Sequence, residues 1–279
     1  MSFSSKILMA VNKLFPLPLH PFNTQAEGGM SYAEWQYERG EDTIKFYLEY
    51  TDKETMFGGK DVLDVGCGAG GKSLYYLGCG AKKVVGIDIV PSYKEESEAL
   101  AAKLGLSEFE FRCEDASSTS FPDDSFDTII MNDAMEHVAK PEAVLREMHR
   151  ILKSGGKLYV NFPPYNHPYG AHLSDVIGMP WVQCFFSDKT MIETYKKLVE
   201  DKPDGENRIK FRISKNEKGE EYFSYINKMT IKRFKKIKEN TPFKVSYYKE
   251  APLRPFLRPL CHGFLREYFV KMVVCVFEK

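Results

Sequence analysis

Four glycines fall within six residues of the stretch Asp61-Val62-Leu63-Asp64-Val65-Gly66-Cys67-Gly68-Ala69-Gly70-Gly71, which opens as an apolar run. The helix-compatible Lys72-Ser73-Leu74-Tyr75-Tyr76-Leu77 follows at once. Strand, glycine turn and helix together bring backbone and a helix N-terminus close to a ligand. Gly66, Gly68 and Gly71 satisfy the dinucleotide pattern G-x-G-x-x-G, a weak signal by itself. Asp64 adds the discriminating information. A carboxylate two residues before the first glycine repels a pyrophosphate and attracts an ammonium group. At ~5 Å and an effective dielectric of about 20, that contact is worth roughly 3 kcal/mol of either sign before desolvation. The sign favours a cation.

The 279 residues allow one large domain with an insertion or a small cap. Lys+Arg and Asp+Glu both total 39, so charge gives no reason to expect a nucleic-acid partner. The six cysteines include no C-x-x-C pair, which fits a reducing, cytoplasmic compartment. No apolar run approaches the ~18 residues of a membrane span. The N-terminal apolar run is too short for a secretory signal.

Residues 1 to about 30 combine apolar side chains with Pro16, Pro18 and Pro21, the composition of an arm packed on the body. Peripheral membrane contact through residues 1–22 is the sharper alternative, with Phe3, Ile7, Leu8, Val11, Leu14 and Phe15 sharing one helical face. Tyr32 to Tyr50 reads as one or two helices just upstream of the glycine turn. Their Tyr32 and Trp35 are placed to shelter a cation.

Beyond the turn, strands and helices alternate. Lys83–Asp88 is a buried strand ending in an acid 24 positions after Asp64, where a doubly wound fold sets a carboxylate against ribose hydroxyls. Tyr93–Leu104 reads as a helix stopped by Gly105, and Glu108–Arg112 as a third strand running into Glu114-Asp115-Ala116. An acid there accepts from an adenine amine while adjacent backbone reads the ring edge. A fourth strand at Thr128–Met131, a helix from Pro141 to Leu152 stopped at Gly155-Gly156, and a fifth strand at Lys157–Phe162 complete a parallel α/β sheet.

The ordered set Asp64-Val65-Gly66-Cys67-Gly68-Ala69-Gly70, Asp88, Asp115, Phe126-Asp127, Glu136-His137-Val138 and Leu152-Lys153-Ser154-Gly155-Gly156-Lys157-Leu158 resembles the class I S-adenosylmethionine-dependent methyltransferases. The match covers about residues 58 to 164. It is most similar to the group acting on small molecules such as quinones, sterols, glycans and natural products. The resemblance implies a doubly wound, mostly parallel seven-stranded sheet whose last strand is inserted antiparallel. The candidates for its final strands are Phe243–Tyr248 and Phe269–Phe277. It implies S-adenosylmethionine as cofactor, with Asp64, Gly66, Cys67, Gly68 and Gly70 on the methionine part. Asp88 then takes the ribose, Asp115 the adenine amine and Asn132 the methionyl side, with Ile89, Glu114, Ala116 and His137 also lining the cofactor. Asp133, Glu136 and His137 are similar to the acidic Glu-His segment of quinone-biosynthesis O-methyltransferases, which can hold a divalent cation; Met135 interrupts that pattern here.

The expected organisation is an arm and covering helices over 1–57, the cofactor core over 58–164, a substrate cap inserted over 165–228, and a C-terminal helix with two strands over 229–279. His167 and His172, just after the fifth strand, are the candidate bases, and Tyr165 the candidate for orienting an acceptor. The expected reaction is methyl transfer to a small apolar or amphipathic acceptor at oxygen. Its rivals are a nicotinamide-dependent oxidoreductase and a catalytically silent scaffold of the same fold.

Overall fold

The computed structural model describes residues 1–18, 20, 23 and 30–279. Its seven-stranded sheet has the order β3-β2-β1-β4-β5-β9-β8. The strands are β1 (Asp61–Val65), β2 (Lys83–Asp88), β3 (Phe109–Cys113), β4 (Phe126–Asn132), β5 (Leu152–Phe162), β8 (Lys244–Pro252) and β9 (Val270–Glu278). The first five are parallel, with Val62 beside Val84 on one flank and beside Thr128 on the other. β9 runs antiparallel to β5, pairing Leu158 with Phe277. The strand order reverses at β1, and ligands of open α/β sheets bind outside the strand ends at such a reversal.

Local chemistry explains the boundaries. Helix Tyr93–Leu104 stops where Gly105 takes φ 68°, satisfying the last carbonyls with its own N–H and that of Leu106. Helix Pro141–Ile151 starts on a proline and buries Val144, Leu145, Met148 and Ile151, a spacing of three and four that keeps one face inward. Gly155-Gly156 proves to be part of β5 rather than the helix stop expected from sequence. The strand begins at Leu152, opposite Phe126, and shifts register before Lys157 meets Thr128. Gly155 at φ 76° accommodates that shift, and its N–H donates to the Lys279 carbonyl. A short helix at Lys53–Phe57, capped by Asp52, had no counterpart in the sequence reading.

The chain divides into two compact units. One comprises Met30–Phe162, Lys232–Ala251 and Met272–Lys279; the other comprises the described residues of Met1–Gly29 with Pro163–Ile231 and Pro252–Lys271. The arm thus groups with the insertion, while the helices from Tyr32 onward belong to the core.

In the second unit, helix Phe3–Asn12 is capped by Ser2 and packs on helix Asp188–Val199. Its buried face is Ser5, Leu8 and Asn12. The single outward apolar face expected over Phe3 to Phe15 is therefore divided. Leu8 joins Met191, Ile192 and Tyr195 in a core cluster, leaving Phe3, Ile7 and Leu14 exposed. Leu19, Pro21 and Phe22 of the proposed anchor lie outside the described residues. The charged stretch after Lys202 forms helix Gly205–Arg212 and the hairpin β6 (Ile213–Lys215) and β7 (Glu221–Phe223). No helix among the described residues is long and apolar enough to cross a membrane.

Candidate cofactor site

The glycine turn leaves β1 at its carboxyl end and enters helix Gly71–Gly78. Helix Tyr32–Glu38, closed by a reciprocal Ser31–Glu34 capping box, lies against it. A Cβ at Gly71 would collide with the Ala33 carbonyl oxygen, so this approach demands glycine. At Gly68, with φ 57°, a Cβ would come within 2.8 Å of Gln36 Nε2 and 3.3 Å of the Tyr32 ring. Buried Gln36 ties the two elements together. Its Nε2 donates to the Cys67 carbonyl at 3.2 Å, and its Oε1 accepts the Gly71 N–H at 3.3 Å.

Five amides of the turn are spent inside the protein. Gly66 and Cys67 N–H donate to the Ile87 carbonyl, Gly68 N–H to Asp88, Gly70 N–H to the Cys67 carbonyl and Gly71 N–H to Gln36. A diphosphate cradle presents such donors to its ligand. This turn instead supplies a close-fitting backbone surface bordered by two carboxylates.

Asp64 is only 2% exposed and accepts from Ser73 Oγ at 2.7 Å. Burial pushes its carboxyl up to about 6, against the opposing hydrogen bond from Ser73. It is ionised at neutral pH, and an incoming ammonium would relieve its desolvation. Asp88 accepts the N–H groups of Gly68 and Val90, both at 3.0 Å, which fix its carboxylate at the end of β2. Burial raises its pKa against those hydrogen bonds. Each oxygen keeps a lone pair for a ribose hydroxyl. Ile89 beside it is 72% exposed, an apolar side chain open to a flat ring. Asp115 Oδ1 accepts the Ser117 N–H at 2.7 Å, while Glu114 accepts the N–H and hydroxyl of Ser120. Ala116 is buried between them and the sheet edge.

Asn132 is held inside the protein. Its side chain belongs to a buried network, where Oδ1 accepts from Tyr47 Oη at 2.6 Å and Asn161 Nδ2 at 2.8 Å. Its Nδ2 donates to Tyr76 Oη at 3.1 Å. With its amide so engaged, it sets the end of β4 and offers a ligand little beyond backbone. Next to it Asp133 takes φ 50° and pairs with Lys72 at 3.4 Å, which opposes use of that carboxylate on a metal. Ala134 abuts Gly66, where a Cβ would come within 2.8 Å. Glu136 is buried 3.8 Å from His137 Nε2, and burial, with Asp133 nearby, drives its carboxyl well above the usual range. Tyr32 and Trp35 stack at 6.1 Å, and Arg39 lies 5.0 Å over the Trp35 ring. Trp35 therefore already has a cation of its own.

The candidate catalytic residues lie in the second unit. His167 Nδ1 accepts the Tyr169 N–H at 3.2 Å, and burial lowers its pKa to about 4, so the ring is neutral at physiological pH. Its remaining nitrogen then carries the proton, the tautomer of a donor rather than a base. His172 sits at φ 53°, and its carbonyl accepts from Tyr225 Oη and Arg212 Nε. Gln183 Nε2 spans the Tyr165 and His167 carbonyls at 2.8 Å each, and Lys228 lies 5.6 Å over the Tyr165 ring.

Sequence reasoning missed the largest polar feature here. Asp175, fully buried, faces Arg208 at 3.0 Å, Arg212 at 3.2 Å and Tyr195 Oη at 2.9 Å. Its two guanidinium partners lie 33 and 37 positions downstream, outside any local motif. Gln36 and Ser73 were missed too, although a hydroxyl two residues into the helix after a glycine turn is a readable signal.

Strand order, glycine turn and paired carboxylates define a nucleoside-binding doubly wound fold of the methyltransferase type. Residues 63–160 match the family model described as a methyltransferase domain. Phosphoethanolamine N-methyltransferase 1 of Arabidopsis thaliana is 38% identical over 114 residues, 40% of this chain and 23% of that protein. The ubiquinone biosynthesis O-methyltransferase of Coxiella burnetii is 30% identical over 135 residues, 48% of this chain and 56% of that one. The chain thus spans from under a quarter to somewhat over half of these relatives' length. A solved S-adenosylmethionine-dependent methyltransferase of Methanosarcina mazei shares the fold at TM-score 0.50 and 23% identity, over 84% of this chain and 96% of that one. The cyclase SpnF shares it at TM-score 0.57 and 18% identity, over 100% of this chain and 97% of that one. Over residues 63–160 the chain is similar to the methyltransferase domain family, and it shares its fold with a solved S-adenosylmethionine-dependent methyltransferase.

Proposed function

We propose that this protein transfers a methyl group from S-adenosylmethionine to a small apolar or amphipathic acceptor, at oxygen. One observation carries the cofactor half of the reading: the N–H groups of Gly66, Cys67, Gly68, Gly70 and Gly71 are internally satisfied while Asp64 and Asp88 stand at the adjacent strand ends. That arrangement suits an ammonium and a ribose and offers little to a nicotinamide dinucleotide.

When bound, the cofactor supplies an electrophilic methyl group on a sulfonium. Asp64 holds the ammonium, Asp88 and Ile89 the ribose, and Asp115, with Glu114 and Ala116, the adenine edge. Tyr32 packs on Gly68 and shapes the surface beside the methionine part. A sulfonium leaves without protonation, so the protein's main task is alignment, worth on the order of 7–11 kcal/mol. An oxygen acceptor must also lose a proton. His172 takes it in this reading, with Tyr165 orienting the acceptor and neutral His167 donating a hydrogen bond.

A second reading, transfer to an amine nitrogen, is favoured by the greater identity to the plant N-methyltransferase. An amine presented neutral needs no base. Product formation across phenol and amine panels, with His172→Gln alongside wild type, separates the two. Oxygen transfer predicts phenol turnover that falls sharply in the variant. Amine turnover unchanged by the variant establishes the second reading, and no methylated product from any panel contradicts both. Peripheral membrane contact through residues 1–22 belongs to this proposal as well, on the strength of exposed Phe3, Ile7 and Leu14. Equal, negligible vesicle flotation with and without that segment removes it.

A further inference from the structure

The exposed large apolar side chains are unevenly distributed: among the described residues, eleven of thirteen belong to the second unit. The two most exposed outside the N-terminal arm are Phe264 at 80% and Phe256 at 77%. Both lie on one excursion between β8 and β9. That excursion contains the 3-10 helix Pro255–Leu260, which buries none of its residues, and returns through helix Arg266–Phe269.

Its base is fixed. Leu253 N–H donates to the Phe269 carbonyl at 2.9 Å, and Cys261 Sγ reaches the same carbonyl at 3.4 Å. Inside the excursion, Leu257 and Cys261 N–H return to Arg254 and Arg258 carbonyls, and Pro255 and Pro259 have no N–H to satisfy.

Apart from Glu267 in the returning helix, which accepts the Ile231 N–H at 2.9 Å, its charge has one sign. From Ala251 to Arg266 there is no acidic residue, and the stretch holds Arg254, Arg258 and Arg266. Arg254 and Arg258 are exposed, and neither has a carboxylate partner among the described residues. Exposed phenylalanines interleaved with unpaired arginines match the interface of an anionic bilayer, where rings enter the acyl boundary and guanidiniums meet phosphates. A second copy of the same face would bring like charges together.

We propose that Arg254–Arg266 is a contact site for an anionic lipid surface. It stands on residues separate from the N-terminal helix and does not depend on the methyl acceptor. The N-terminal segment is moored nearby in the fold. Asn12 bonds the Val176 carbonyl and Gly178 N–H, while Trp181 Nε1 donates to the Tyr268 carbonyl.

The test is flotation of the full chain with phosphatidylcholine vesicles, with and without phosphatidylglycerol. Wild type should float with the anionic vesicles only and detach as salt rises. F256S/F264S and R254Q/R258Q should each reduce the partition coefficient more than about tenfold. F3S/L14S should retain binding by the Arg254–Arg266 site. Calorimetric titration with S-adenosylmethionine, unchanged in the variants, shows that they fold. Absence of wild-type flotation, equal binding to neutral vesicles, or undiminished binding by F256S/F264S would overturn the proposal. So would a concentration-dependent dimer that F256S/F264S abolishes, because a second copy would then cover this face.

Discussion

The two compact units solve opposite problems. The core buries carboxylates that an incoming ligand can use: Asp64 and Asp88 sit at strand ends with their pKa values raised by burial. The second unit buries cations that the protein satisfies itself and half-buries two histidines. Asp175 answers Arg208 and Arg212, while His20 and His167 are both pushed down to about 4 by burial. The exteriors differ as well, since exposed apolar side chains concentrate on the second unit. A catalytic fold leaves its electrostatic work unfinished where a ligand completes it, and finishes it elsewhere.

The sharpest way to break this contrast is Asp175→Ala. Two buried guanidiniums would lose their shared carboxylate, and removing one partner of a buried pair costs about 3–5 kcal/mol. Hydrogen exchange resolved by segment should show that loss across 163–231, with core strands protected. Uniform deprotection of both units would erase the distinction. Gly71→Ala strikes the core instead. Its Cβ must displace the Tyr32–Glu38 helix at an overpacking cost of about 1–3 kcal/mol. Denaturant unfolding should register that loss, and S-adenosylmethionine affinity should weaken with it.

Acid sharpens the comparison by separating the units in sign. A histidine whose folded pKa lies below its unfolded value of about 6.5 loses stability as pH falls from that value toward 4. His20 and His167 should together weaken the second unit at pH 5, by roughly 1–2 kcal/mol each. Asp64 runs the other way: its raised folded pKa gives a contribution fully present below the unfolded value and lost as pH rises through about 6. Acidification from pH 7 to 5 should therefore stabilise the core around Asp64, by roughly 1 kcal/mol. Segment-resolved exchange at the two pH values checks both signs. The same protonation should weaken S-adenosylmethionine binding by up to about tenfold per pH unit below 6.

Much of the core was legible because its signals are local. β1 to β4 and helix Tyr93–Leu104 follow from apolar runs punctuated by glycine and acid, and Gly105 marks its stop as a left-handed residue should. The fifth strand was misjudged at its start because a glycine pair reads as a helix stop, whereas pairing with Phe126 and the chain terminus draws it into the sheet. Asn132 looked like a ligand contact from its place at a strand end. Its partners Tyr47, Tyr76 and Asn161 come from distant segments, and only the fold reveals them. The Asp175 cluster was invisible for the same reason. The placement of Asp64 and Asp88 at the ends of β1 and β2 follows from the strand pattern around the turn.

The account turns on what the glycine turn admits, and calorimetric titration of the full chain with S-adenosylmethionine and with NADH tests that directly. Saturable heat with S-adenosylmethionine, reduced about tenfold or more in affinity by Asp64→Asn, and none with NADH is the predicted result. Binding of NADH in the absence of any S-adenosylmethionine signal would contradict it.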